Sequence, residues 1–248
     1  LHAGFYYTAD SFKAKFTQAG NQRLKEYCES RNIPVNKCGK LVVAQNQSEL
    51  SQLDELMIRA KNNNVPLETI TEEEAKAIEP KVKTFERALF SPTTSSVNPS
   101  QVVQAMRDDS KQEGLKLQSG VRYLKRIGKG TVKTSQGIIE FGYMVNSAGL
   151  YADKIAQDFG FSRDYRILPF KGLYLYSNES VGSFKTNIYP VPDLRNPFLG
   201  VHFTVTVEGK VKIGPTAIPA FWRENYKGLT NFNLNELMEI IFRQAGLY

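Results

Sequence analysis

The chain has 248 residues, 41% hydrophobic and 23% charged, a composition that suits one large soluble domain or two smaller ones with a sizeable core. No stretch approaches the ~18 consecutive apolar residues of a membrane-spanning helix, and there is no secretory signal at the front. The net charge of +7 is spread along the sequence without an RNA-recognition, helix-turn-helix or zinc-finger signature, so nucleic acid is not expected as a partner.

Apolar residues at helical spacing (Phe12, Phe16, Ala19, Leu24, Tyr27, Cys28) predict a helix over 9–31, capped by Asp10 or Ser11 and ended by Asn32-Ile33-Pro34. KLVVA at 40–44 reads as a strand. Ser48 is the expected cap of a second helix with Leu50, Leu53, Leu56 and Met57 on its inner face. TEEEAKAIEP at 71–80 is a capping box and a short helix stopped by Pro80. A strand at 86–92 precedes a Ser/Thr/Pro loop and a helix opened by Asn98-Pro99.

Residues 114–149 read as short strands punctuated by glycines, with a charged hairpin at 122–133 and an apolar strand, YMVNSAG, at the end. A small-residue turn and a helix follow. From 165 to 214 strands dominate (RILPFKGLYLYS, NIYPVP, FLGVHFTVTVEG, KVKIGP), and LNELMEIIFR at 234–243 is the last helix. The order predicts a mixed α/β chain with a mixed sheet.

Four segments could carry chemistry. The turn after YMVNSAG could bring backbone amides to a phosphate, or simply be a tight β–α bend. His2 and His202, the two histidines, have the ordinary pKa that suits proton abstraction from a hydroxyl; either could equally be a structural or solvent-facing residue. Lys171, beside a glycine and a run of aromatics, could hold a carboxylate or be one surface lysine among many. The Pro-framed loops at 189–204 and 214–226 are of the kind that build pockets. Cys28 and Cys38 are ten residues apart with no Cys-x-x-Cys pair, so no metal site is expected, and two idle thiols fit a reducing compartment.

Taken in order, LHAGFYY, VNSAGLYAD, FKGLYLY, YPVPDLRNPFLGVHFT and KIGPTAIPAFWRENY resemble the L-2-hydroxyglutarate dehydrogenase/oxidase family, within the FAD-dependent oxidoreductases of the D-amino-acid and glycine oxidase type. The resemblance runs over essentially the whole chain. It implies oxidation of L-2-hydroxyglutarate to 2-oxoglutarate, with a small dicarboxylate substrate and electrons passed to quinone, the respiratory chain or oxygen. It also implies a cytoplasmic protein, peripheral to the inner membrane, or a mitochondrial one in a eukaryote.

By position, it implies His2 or His202 as catalytic base, Tyr7, Lys171 and Tyr189 as substrate contacts, and Val121, Ser147, Ala148, Gly149 and Leu150 as FAD contacts. Residues 1–40 and 86–165 would belong to the FAD-binding domain, 41–85 and 166–233 to the substrate domain, and 234–248 to the start of a C-terminal part. The family's Gly-x-Gly-x-x-Gly turn is absent from the sequence. The chain therefore reads as an interior piece, with FAD weakly bound or lost. The competing expectations are an amine oxidase of the glycine or sarcosine type and a non-catalytic substrate-domain piece.

Overall fold

The computed structural model describes residues 1–193 and 200–245. Two compact units emerge, one of residues 1–113 and 172–216, the other of 114–171 and 217–248. This division differs from the expected one. Residues 1–40 and 86–113 fold with the large sheet, because the strand at 87–91 pairs inside it and cannot leave without breaking two ladders.

In chain order, the first unit begins with α1 (Phe12–Ser30), β1 (Val35–Asn36) and β2 (Lys40–Val43). Next come α2 (Leu50–Asn62), β3 (Glu68–Thr71), α3 (Glu72–Ile78), β4 (Arg87–Ser91), β5 (Ser96–Val97) and α4 (Pro99–Gln112). The second unit contributes β6 (Tyr123–Gly128), β7 (Thr131–Thr134), β8 (Gly137–Glu140) and α5 (Ala152–Asp158). Then follow β9 (Phe170–Tyr176), β10 (Asn187–Pro190), β11 (His202–Val205), β12 (Val211–Pro219) and α6 (Leu234–Ala245), with the unit boundaries falling inside β9 and β12.

Seven strands make one mixed sheet in the order β3-β4-β2-β10-β11-β12-β9. The β2–β10 pair is parallel, and β2–β4, β3–β4, β10–β11 and β11–β12 are antiparallel. Every residue of β2 is buried, the mark of a strand covered on both faces. Alternation sends Val42 to a core with Phe5, Leu53, Leu56 and Leu89, and Leu41 and Val43 to another with Ile70, Ala75 and Ala88. Asn187 clips the middle of the sheet: its Nδ2 donates to Gly39 O at 2.6 Å, and its Oδ1 accepts from Val205 N at 2.8 Å.

The capping box of α3 is present, with Thr71 and Glu74 exchanging side chain and backbone, and Ser11 caps α1 through Ala14 N. Three readings need correction. Phe12 and Phe16 are 73% and 71% exposed and stack on one another. The buried side of α1 is Ala14, Asn21 and Cys28, the positions that meet the body of the unit. Ser48 does not cap α2: Asn46 caps a 3-10 turn at Gln47–Glu49 that leads into it, and Glu49, the N-cap of α2 itself, makes no side-chain cap bond. Gly214-Pro215 does not end β12, which runs on to Pro219. Gly214 sits at φ +146, where a Cβ would lie 2.6 Å from Leu173 O, so only glycine permits the close approach of β9.

In the second unit, β6–β7–β8 form an antiparallel meander that includes the expected charged hairpin. The predicted strand at 143–149 is absent. Tyr143 is 87% exposed, and among the described residues no strand pairs with this segment. Asn146 instead takes local backbone partners, accepting from Ala148 N and donating to Ala152 O at 2.8 Å, the competition with ladder bonding that Asn side chains offer. The stretch RILP before β9 is likewise irregular. The expected strand FLGVHFTVTVEG has its first two residues, Phe198 and Leu199, outside the described residues, and His202–Val205 of it form β11.

Candidate functional site

A cavity of about 390 Å³ in the first unit is walled by His2, Tyr189, His202, Thr204, Tyr174 and Lys212, among others. The fold brings these together from four places: the N-terminal segment, β9, the neighbouring strands β10 and β11, and β12. Three of the sequence candidates, His2, His202 and Tyr189, thus share one pocket.

His202 is 5% exposed. Its Nδ1 lies 2.8 Å from Gly200 O. A carbonyl only accepts, so Nδ1 carries the proton and Nε2 keeps its lone pair. The Tyr189 ring stacks on the imidazole at 3.8 Å between centroids and 20° between planes. Burial lowers the His202 pKa; the Gly200 hydrogen bond opposes this and Lys40 adds to it. His2 is lowered to about 4, by burial first and then by Lys40. His2, in the chain's first segment, remains open to solvent. Both imidazoles are neutral at pH 7.

Lys40, which the sequence reading passed over, lies behind this pair. Its side chain is fully buried, its Nζ has no hydrogen-bond partner among the described residues, and it stands 4.4 Å from the Phe5 ring centre, 4.3 Å from Tyr6 and 4.8 Å from Tyr189. Burial alone brings its pKa down to about 7. The Tyr6 hydroxyl is also buried without a partner among the described residues. The available signal was a lysine opening an otherwise apolar strand, KLVV.

Tyr7 is not at this pocket: its carbonyl accepts from Asn63 Nδ2 at 2.9 Å, and its ring faces Lys13. Lys171 belongs to the second unit, where its Nζ donates to Asn225 Oδ1 at 3.4 Å.

The second unit has its own cavity, about 790 Å³, walled by Val121, Ala148, Arg122, Lys125, Tyr151 and Lys154, among others. Val121 and Ala148 therefore meet at one site, while Ser147, Gly149 and Leu150 are not on its wall. Gly149 opens a 3-10 turn at φ +54 with open space around it, and Leu150 O accepts from Arg223. Beside it Arg223 and Asp153 form a buried bidentate pair, both contacts at 2.8 Å. Among the described residues no group of His, Cys, Asp and Glu is arranged to hold a metal, and no helix is long and apolar enough to cross a membrane.

Residues 1–244 match the family model described as FAD dependent oxidoreductase. The chain belongs to that family. It is 37% identical over 260 residues to the mitochondrial L-2-hydroxyglutarate dehydrogenase of Nematostella vectensis, covering 97% of this chain and 57% of that protein. Against the Mus musculus protein of the same name identity is also 37%, with 99% and 56% covered. The chain thus spans somewhat over half the length of these curated relatives. Its fold matches that of L-proline dehydrogenase from P. horikoshii at a TM-score of 0.78 and 21% identity, covering 98% of this chain and 64% of that one. The family resemblance and the mixed α/β fold expected from the sequence both hold.

Proposed function

We propose that this chain belongs to an FAD-dependent dehydrogenase that oxidises L-2-hydroxyglutarate to 2-oxoglutarate, and that the cavity at His202 receives the substrate. The observation that carries this is a buried, neutral His202 whose protonated Nδ1 is tied to Gly200 O, leaving Nε2 to accept a proton. The substrate assignment draws on the name of the relatives at 37% identity.

Oxidation of a secondary alcohol removes a proton from the hydroxyl and a hydride from the carbon. FAD, when bound, supplies the hydride acceptor. His202 takes the hydroxyl proton at Nε2, a step of the kind that contributes roughly 10²–10⁴-fold. Tyr189 fixes the plane of the imidazole, and His2 is a second neutral acceptor on the same wall. Among the described residues of the cavity wall, Lys212, whose Nζ lies near the Tyr174 and Tyr176 rings, is the cation that would hold a carboxylate. Lys171 and Tyr7 are carried as substrate contacts by the family resemblance alone.

The residues of the second unit suit part of FAD. Val121 and Ala148 offer an apolar surface for a flat ring, and Arg122, Lys125 and Lys154 give the same cavity the charge that phosphates need. Ser147, Gly149 and Leu150 would flank it. With no Gly-x-Gly-x-x-Gly turn in the sequence, we expect the 248-residue chain to hold FAD weakly. Passage of electrons to a quinone pool, a mitochondrial location in a eukaryote and peripheral membrane contact form part of the same proposal; salt-sensitive co-sedimentation with anionic vesicles checks the last.

The test uses protein at the relatives' full length, loaded with FAD and given a dye acceptor. L-2-hydroxyglutarate is expected to reduce the dye, with glycine and sarcosine inert, and His202→Asn is expected to lower kcat by about 10²–10⁴-fold with its fold intact. Turnover of glycine or sarcosine with peroxide formed would move the chain to the amine oxidases. Bound flavin with no turnover of any of these would sink the assignment.

A further inference from the structure

A buried lysine normally finds a carboxylate. Lys40 finds three aromatic faces instead, and no carboxylate among the described residues acts on it. The titratable groups around it are His2 and Tyr6 from the N-terminal segment, Tyr189 on β10 and His202 on β11, with Cys38 before β2 and Lys25 on α1 farther out toward Leu1. One of its three rings, Tyr189, is the ring that stacks on His202.

We propose that Lys40 is a positioning residue of the histidine site, an amine that braces the Tyr189 ring against His202 and whose charge keeps both imidazoles unprotonated. The proposal rests on reading His202 and His2 as the proton acceptors, and its test reads ionisation rather than turnover.

The chemistry of each alternative side chain shows why a lysine suits this place. A methionine would fill the cage without charge, and an arginine could never release its proton. Lys40, with its pKa brought to about 7 by burial, is charged below neutrality, where an imidazole would otherwise take up a proton. Its ammonium is among the groups that lower both His2 and His202, after burial in each case. Above neutrality the amine loses its charge, and an imidazole is neutral there anyway. The repulsion is therefore present in the pH range where it matters.

The sequence contains two histidines, so imidazole Cε1–H resonances give two titration curves, assigned by removing one histidine at a time. Both midpoints are expected below the ordinary value of about 6.5 in the wild-type chain. In Lys40→Met both are expected to rise, by about half a unit or more, and in Lys40→Arg to stay low. Unmoved midpoints in a folded Lys40→Met protein would overturn the proposal. Equal rises in the Met and Arg variants would do the same, since packing and not charge would then be responsible.

Should Lys40→Met fail to fold, wild-type protein labelled at lysine ¹³Cε decides the matter. A lysine resonance titrating near 7 with a matching inflection in the histidine curves supports the proposal, and histidine curves with no inflection at any lysine midpoint overturn it. A wrong substrate assignment would leave every one of these curves in place.

Discussion

The two units each bury a cation, and they treat it in opposite ways. In the second unit Arg223 meets Asp153 through two hydrogen bonds of 2.8 Å, and the carboxylate also accepts from Ile167 N at 3.0 Å. Burial alone would raise the Asp153 pKa, but the bonds from Arg223 and Ile167 outweigh it and hold the carboxyl below its usual range. In the first unit Lys40 faces three aromatic rings and pairs with no carboxylate among the described residues, so burial acts unopposed. Arginine stays charged and must be paired; lysine can shed its proton. The Arg223–Asp153 pair locks a turn to α5, whereas Lys40 is a titratable amine beside a pair of histidines.

The largest expected effect tests the paired side of this contrast. Asp153→Ala strands the Arg223 guanidinium, and removing one partner of a buried pair costs about 3–5 kcal/mol. Urea unfolding of the variant measures it, and a loss below about 1 kcal/mol would mean that Arg223 escapes to solvent. Glu79 extends the contrast to an anion. Its fully buried carboxylate pairs with no cation among the described residues and accepts from Lys81 N, Lys185 N and Thr186 N at 3.1, 2.6 and 3.4 Å. Glu79→Ala leaves those N–H groups unpaired and is expected to cost about 2 kcal/mol, again read by urea unfolding.

Lys40 tests the unpaired side through pH. Its folded pKa near 7 lies below the unfolded lysine value of about 10.4, so between these the unfolded chain binds the extra proton. Stability should therefore rise with pH across that window, by about 1.4 kcal/mol per pH unit at most. Folding curves at pH 7 and 10 for wild type and Lys40→Met isolate the effect; a rise of equal size in both would remove Lys40 as its source. The smallest change is expected at the surface. Lys76 and Glu72 pair at 2.6 Å along α3, both about half exposed, and Lys76→Ala should shift the thermal midpoint by no more than about 0.3 kcal/mol allows.

Much of the fold was legible because its signals are local. Thr71 and Glu74 spell a capping box, Asn98-Pro99 opens α4, and KLVV is apolar enough to be a central strand. The errors came where local pattern and tertiary need diverge. Phe12 and Phe16 keep helical spacing yet face outward, since it is Ala14 and Cys28 that the body of the unit meets. YMVNSAG has the composition of a strand, but a strand exists only where another offers its ladder, and Asn146 satisfies that backbone instead. Of the candidate site, His2, His202 and Tyr189 were found and do share a cavity. Lys40 was missed because its meaning depends on Phe5, Tyr6 and Tyr189, residues up to 149 positions away.

The sequence by itself determined the mixed α/β character, most helix boundaries and the family, because periodicity, caps and ordered motifs are written in neighbouring residues. Only the tertiary structure decided which histidine is buried and tied to a carbonyl, and which cation is paired. Burial and pairing are properties of surroundings, and the surroundings of His202 and Lys40 are assembled from β2, β10, β11 and the N-terminal segment, parts that meet only when the sheet closes.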